Sequence, residues 1–102
     1  MLFALLGKYD PVIIAESFAR ERQIMENPPE GVEVIARYAR VGQKGGFIHI
    51  IKTDSAEQLG ALLLEFVGVI EYEIIPVVEL TEVKGLKLVE EYLGDIPMHG
   101  PL

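Results

Sequence analysis

Residues Val32–Val41 (VEVIARYARV) and Phe47–Thr53 (FIHIIKT) are two strand-like apolar runs separated by the pentapeptide Gly42-Gln43-Lys44-Gly45-Gly46. The segment reads as a β-hairpin. Glycines supply the positive φ angles that short hairpin loops need, and β-branched flanks suit a pleated, half-buried surface.

Working outward, an apolar run from Leu2 to Tyr9 precedes Asp10-Pro11, a helix N-cap followed by proline at the first helical position. Ile14, Phe18 and Met25 then recur near helical spacing, with Glu16, Arg20 and Arg22 polar, until Pro28-Pro29 stops the pattern. After the hairpin, Asp54 with Glu57 resembles a capping box, Leu59, Leu62, Leu63 and Phe66 form an apolar stripe, and Gly68 suits the helix end. Ile70–Leu80 reads as a strand, with Pro76 pointing to an edge or a bulge. Thr81 opens a last helical pattern. The predicted order is β-α-β-β-α-β-α, one domain over 1–94 with a final helix at 81–94 and a tail at 95–102.

A chain of 102 residues supports one core and buries about two-thirds of its unfolded surface. Half of its residues are apolar, more than a small monomer hides easily, which points to a partner subunit. No apolar run approaches the roughly 20 residues of a membrane span, and the opening LFALLG lacks the basic flank of a signal peptide. Without cysteine, disulfides and thiolate metal sites are excluded, and the cytoplasm is the expected compartment. A net charge of −7, with nine basic residues scattered among sixteen acids, argues against nucleic acid.

A split βαβ pair predicts an α+β, ferredoxin-like βαββαβ protomer, with a four-stranded antiparallel sheet and both leading helices on one face. Period-two alternation puts Tyr72, Ile74 and Val78 toward the helices, and Glu71, Glu73, Ile75, Val77 and Glu79 on the bare face. With Val41 opposite Phe47, the residues Arg37, Ala39 and Val41 share a face with Phe47, His49 and Ile51. Assigning that group to the bare face as well predicts a sheet-on-sheet homodimer, in which Phe47, Ile51, Ile75 and Val77 are buried. Arg37, His49, Glu71 and Glu73 would then line the cavity between subunits.

The ordered set Arg37-Tyr38, Gly42, Gly46-Phe47, Asp54, Tyr72-Glu73 and Pro76-Val77 resembles a family of small uncharacterised proteins of the dimeric α+β barrel superfamily. The resemblance runs from Met1 to Glu79. It implies a ferredoxin-like protomer, a dimeric α/β barrel and a pocket inside the barrel or between sheet and helices. Related barrels include monooxygenases, isomerases, haem-degrading enzymes and ligand sensors, so the resemblance assigns no single chemistry. Similar sequences often carry an aromatic residue and then histidine after the arginine; here Tyr38-Ala39 stand there, so any role of that histidine is missing unless His49 replaces it.

Candidate ligand-binding residues are Arg37, His49, Glu71, Glu73 and Tyr9. Glutamates two apart on a strand lie about 7 Å apart and, at an effective dielectric near 20, repel by about 2.4 kcal/mol, so a buried pair needs a proton or an Arg37-like partner. His49 titrates near neutrality and could act as a base, or be an ordinary core histidine. Tyr9 could offer its phenol to a ligand, or close the sheet edge. The glycine loop leads into a strand rather than a helix, which argues against phosphate binding, and two distant histidines give no metal spacing. The expected function is a homodimer, or a higher oligomer built from it, that binds a small, partly apolar or anionic ligand without cofactor or metal. A cofactor-free monooxygenase- or isomerase-like enzyme and a ligandless structural dimer are the alternatives.

Overall fold

Four strands make one antiparallel sheet in the order β2-β3-β1-β4, in a computed structural model that describes residues 1–42, 45–80 and 90–91. The strands are β1 (Leu2–Tyr9), β2 (Glu33–Ala39), β3 (Gly46–Lys52) and β4 (Ile70–Val77). Helix α1 (Ile14–Met25) follows β1 through a short 3-10 turn, and α2 (Ala56–Leu64) joins β3 to β4. This is the expected βαββαβ protomer. Apart from Glu90 and Glu91, the expected helix at 81–94 and the tail at 95–102 lie outside the described residues, as do Gln43 and Lys44.

Local chemistry explains the element ends. The Asp10 carboxylate accepts from the Val12 backbone N–H, and Pro11 sits at the first helical position, satisfying donors that the first turn leaves unpaired. Ser55, rather than Asp54, caps α2, its hydroxyl accepting from the Gln58 N–H at 3.2 Å. The hairpin closes with Arg40 N–H donating to the Gly46 carbonyl at 2.8 Å, and Gly42 holds a φ of +141° in the loop. Pro76 is accommodated because β4 is an edge strand.

The core lies between sheet and helices, built from Leu5, Ile24, Met25, Phe47, Ile51, Leu59, Leu62, Phe66 and Ile70. Arg20 ties the two helices together by donating to the Glu65 carbonyl just past α2 at 2.8 Å, a cation where a helix end collects negative charge. The inner stripe of α1 is Ser17, Glu21, Ile24 and Met25, whereas Ile14 and Phe18 stay nearly half exposed. The helix is thus turned slightly from the expected apolar stripe. That turn carries a carboxylate into the core.

Register fixes the faces. Leu5 pairs with His49 on one side and Ile74 on the other, while Gly7 pairs with Phe47 and Tyr72. Leu5 is fully buried, so the face it shares with Phe47, His49, Ile51, Tyr72 and Ile74 is the helix-covered one. Arg37 opposes His49 and Ala39 opposes Phe47, placing them there too, while Val41 stands exposed outside the ladder. Between Val34 and Ala36, β2 carries a bulge centred on Ile35. The other face shows Leu2, Leu6, Ile48, Ile50, Ile75 and Val77, with Glu71 and Glu73 exposed beside them. No described helix covers it.

The expected grouping of Arg37 and Ala39 with Phe47, His49 and Ile51 is therefore right, but the group lies under the helices. Its assignment to the bare face is corrected. Both faces of β3 are apolar, so alternation shows which residues share a side without showing which side the helices take.

Candidate functional site

One arginine, one glutamate, one histidine and one tyrosine from four different elements meet in the helix–sheet layer. Glu21 projects from α1 and is 6% exposed; the spacing of Ser17, Glu21 and Ile24 puts it on the inner side of the helix. Arg37 grips it with two donors, Nε to Oε2 at 3.1 Å and Nη2 to Oε1. Such a two-pronged pair fixes the carboxylate plane as well as its charge. A further Arg37 nitrogen, Nη1, lies 3.9 Å from Glu26 Oε1.

His49 is fully buried at the centre of the sheet, with Nε2 3.3 Å from Glu21 Oε2. Its other nitrogen, Nδ1, is buried with no hydrogen-bond partner, and so is the Tyr72 hydroxyl. The two rings have centroids 5.6 Å apart. Tyr72 reaches toward β3 because Gly7, on the intervening strand, has no side chain: a Cβ there would sit 2.5 Å from Tyr72 Cε1. Aromatic neighbours enclose the pair, Phe47 at 5.9 Å from His49 and Phe66 at 5.0 Å from Tyr72.

Charge in this layer is settled by neighbours. Burial by itself would raise the Glu21 carboxyl, but hydrogen bonds from Arg37 and His49 outweigh it and hold the pKa below the ordinary range. Burial lowers His49, assisted by the Arg37 charge and opposed by Glu21. Burial pushes the Tyr72 phenol up, and the Glu21 charge adds to this. At neutral pH Glu21 is ionised and only accepts, so a neutral His49 donates from Nε2 and keeps a lone pair on Nδ1. Tyr72 stays a protonated donor. An acceptor on His49 and a donor on Tyr72 thus stand unused in the same layer.

The expected site residues divide between the faces. Arg37 and His49 come together, but their carboxylate is Glu21, which sequence reasoning missed because a glutamate among helix polar residues looks solvated. Glu71 and Glu73 lie across the sheet and cannot meet Arg37 through it. They line an open cleft of about 610 Å³ that wraps the β4 edge, with Leu6 and Lys8 on the bare side and Leu63, Val67, Ile70 and Tyr72 on the helix side. Tyr9 shares the helix face with His49, but its ring packs on Phe18 and Phe47 at 5.8 and 5.5 Å, and its hydroxyl lies where a Gly45 Cβ would be. Among the described residues no cluster of acids and histidines could hold a metal ion, and no helix is long and apolar enough to cross a membrane.

No curated protein matches the sequence. Among solved structures, a chain titled antibiotic biosynthesis monooxygenase is 17% identical with a TM-score of 0.47, and the match covers 78% of this chain and 100% of that one. A de novo designed protein, Foldit4, is 13% identical with a TM-score of 0.45, over 76% of this chain and 96% of that one. A family model described as Domain of unknown function (DUF3303) matches residues 1–89, and this chain belongs to that family.

Proposed function

We propose that the protein is a homodimeric small-molecule-binding module whose ligand sets a donor against His49 Nδ1 and an acceptor against the Tyr72 hydroxyl. The observation that carries this reading is the pair of buried, unpartnered polar atoms, His49 Nδ1 and the Tyr72 hydroxyl, in the helix–sheet layer. Leaving each one unpaired costs about 1–3 kcal/mol, a cost that a complementary occupant removes. A matching ligand is flat and apolar with adjacent hydroxyl and carbonyl groups, such as the enol of a 1,3-dicarbonyl compound, lying against Phe47 and Phe66. Tyr72 also lines the open cleft at the β4 edge with Glu71, Glu73 and Lys8, and in this reading the ligand enters from that side by displacing the side chains that seal the layer. In this reading Arg37 orients Glu21, and Tyr9 shapes the far wall.

The uncovered sheet face supports the homodimer. Leu6, Ile48, Ile50, Ile75 and Val77 give it an apolar centre, and Lys8, Lys52, Glu71 and Glu73 a charged rim, the make-up of a protein interface.

Calorimetric titration with benzoylacetone, whose enol carries both groups, tests the ligand reading. Binding should weaken about tenfold in Tyr72→Phe, the loss of one hydrogen bond worth about 1.4 kcal/mol. No binding, or equal affinity in Tyr72→Phe and His49→Asn, overturns it. Light scattering that finds a monomer at micromolar concentration overturns the dimer.

A further inference from the structure

We propose that the outer edge of β4 is a docking strand for an extended segment of a partner protein, one in which apolar residues alternate with lysine or arginine. β4 ends the strand order β2-β3-β1-β4, and its outer side pairs with no strand among the described residues. Pro76 tells which groups that side offers. Proline has no N–H to give and is accepted in a strand where that loss faces away from the neighbour, so the residues in phase with it, Ile70, Tyr72 and Ile74, turn their N–H and C=O outward. The close approach of Tyr72 to Gly7 agrees with this phase, because antiparallel pairs that exchange no hydrogen bonds bring their side chains nearest. Each of the three outward residues presents one donor and one acceptor, a row on which a further strand can add by main-chain pairing.

The two sides of this edge differ, and the difference specifies the partner. On the helix side the open cleft of about 610 Å³ is walled by Leu63, Val67, Ile70 and Tyr72, with Val67 exposed, and Ile74 stands exposed next along the strand. On the other side Glu71 and Glu73 are exposed, and neither forms an ion pair among the described residues; Lys8 opposes Glu71 on β1, while Leu6 opposes Glu73. An added strand sends alternate side chains to each side, so those over the cleft must be apolar and those beside the glutamates basic. A second copy pairing β4 with β4 would set glutamates against glutamates, and the net charge of −7 disfavours acidic segments. The other edge, β2, is broken by the bulge at Ile35, a device that discourages pairing, so β4 is the edge left for a partner. His49 and Glu21 take no part in this surface, which stands or falls apart from the ligand reading.

The probe is a fluorescein-labelled peptide with blocked ends, Thr-Val-Lys-Val-Lys-Val-Thr, titrated with the full chain and followed by fluorescence anisotropy. In an antiparallel ladder its valines fall opposite Ile74, Tyr72 and Ile70, and its lysines opposite Glu73 and Glu71. Anisotropy should rise to saturation at micromolar protein. Methylating the valine backbone nitrogens, which donate to β4, should abolish binding, whereas methylating the lysine nitrogens, which face away, should leave it intact. Exchanging both lysines for glutamate should also abolish it. The double variant Glu71→Gln with Glu73→Gln should weaken binding about tenfold, about threefold for each exposed ion pair. Binding of the valine-methylated peptide as tight as that of its parent, or unchanged affinity in the double variant, overturns the proposal. So does the absence of saturable binding to the full chain at millimolar protein, whether its own residues or a second copy cover the edge.

Discussion

The two faces of β3 differ by a single residue step and solve opposite problems. Phe47, His49 and Ile51 are buried under the helices, out of reach of solvent; Ile48 and Ile50 are half-buried on a face that no described helix covers. The covered face contains the buried ionisable groups Glu21 and His49, and the uncovered face has apolar side chains at its centre and charged ones at its rim. The contrast separates a buried polar cluster inside the protomer from an apolar sheet face that no described helix covers.

Breaking the ionic cluster should have the largest effect. Glu21→Ala leaves His49 Nε2 and Arg37 without their acceptor, and urea unfolding should show a loss of about 3 kcal/mol. Acid works on the same cluster, in which Glu21 from α1, Arg37 from β2 and Tyr72 from β4 face His49. His49 has its pKa lowered in the folded state, so the unfolded chain binds the proton more readily and stability falls as pH drops below the ordinary histidine value of 6.5. Glu21 is lowered as well, so its contribution is full above the ordinary value of 4.5 and is lost as pH falls below it. A stability profile from urea midpoints that stays flat between pH 7 and 4 would contradict both directions.

Gly7→Ala sharpens the comparison from within the covered face. The added methyl meets the Tyr72 ring at 2.5 Å, and shifting that ring should cost about 2 kcal/mol and change the His49 ring resonances by NMR. Unperturbed His49 resonances would show that Tyr72 does not depend on that space.

The smallest effect on folding should come from Ile50→Lys, on the open face. Protomer stability should move by no more than about 0.5 kcal/mol, yet light scattering should show the proposed dimer lost. A variant that unfolds would mean the face is covered within the protomer.

Most of the fold was legible in the sequence because its signals are local. Gly42 and Gly46 bound the hairpin, Asp10-Pro11 starts a helical segment, and Pro76 calls for an edge strand, which β4 is. The site was legible only in pieces. Arg37 and His49 were rightly grouped, since the observed pairing of Ala39 with Phe47 is offset by two residues from the expected one and an even offset keeps the face. Which face the helices cover was not legible, because β3 is apolar on both sides and offers no polarity contrast. Glu21 escaped because its partners are distant in sequence; its position four residues after Ser17 and three before Ile24 was the available signal. Tyr72 was read correctly as helix-facing, but its unpaired hydroxyl follows from the closeness of three strands.

The bulge at Ile35 bears on how this chain can drift in length. A one-residue deletion inside a strand normally turns everything beyond it over, but β2 already holds one residue more than its partner stretch requires. Losing Ile35 would bring Val34 and Ala36 into an unbroken ladder and leave Arg37 opposite His49. Of the strands here, β2 is the one that can shed a residue and still present the same side chains to the helices.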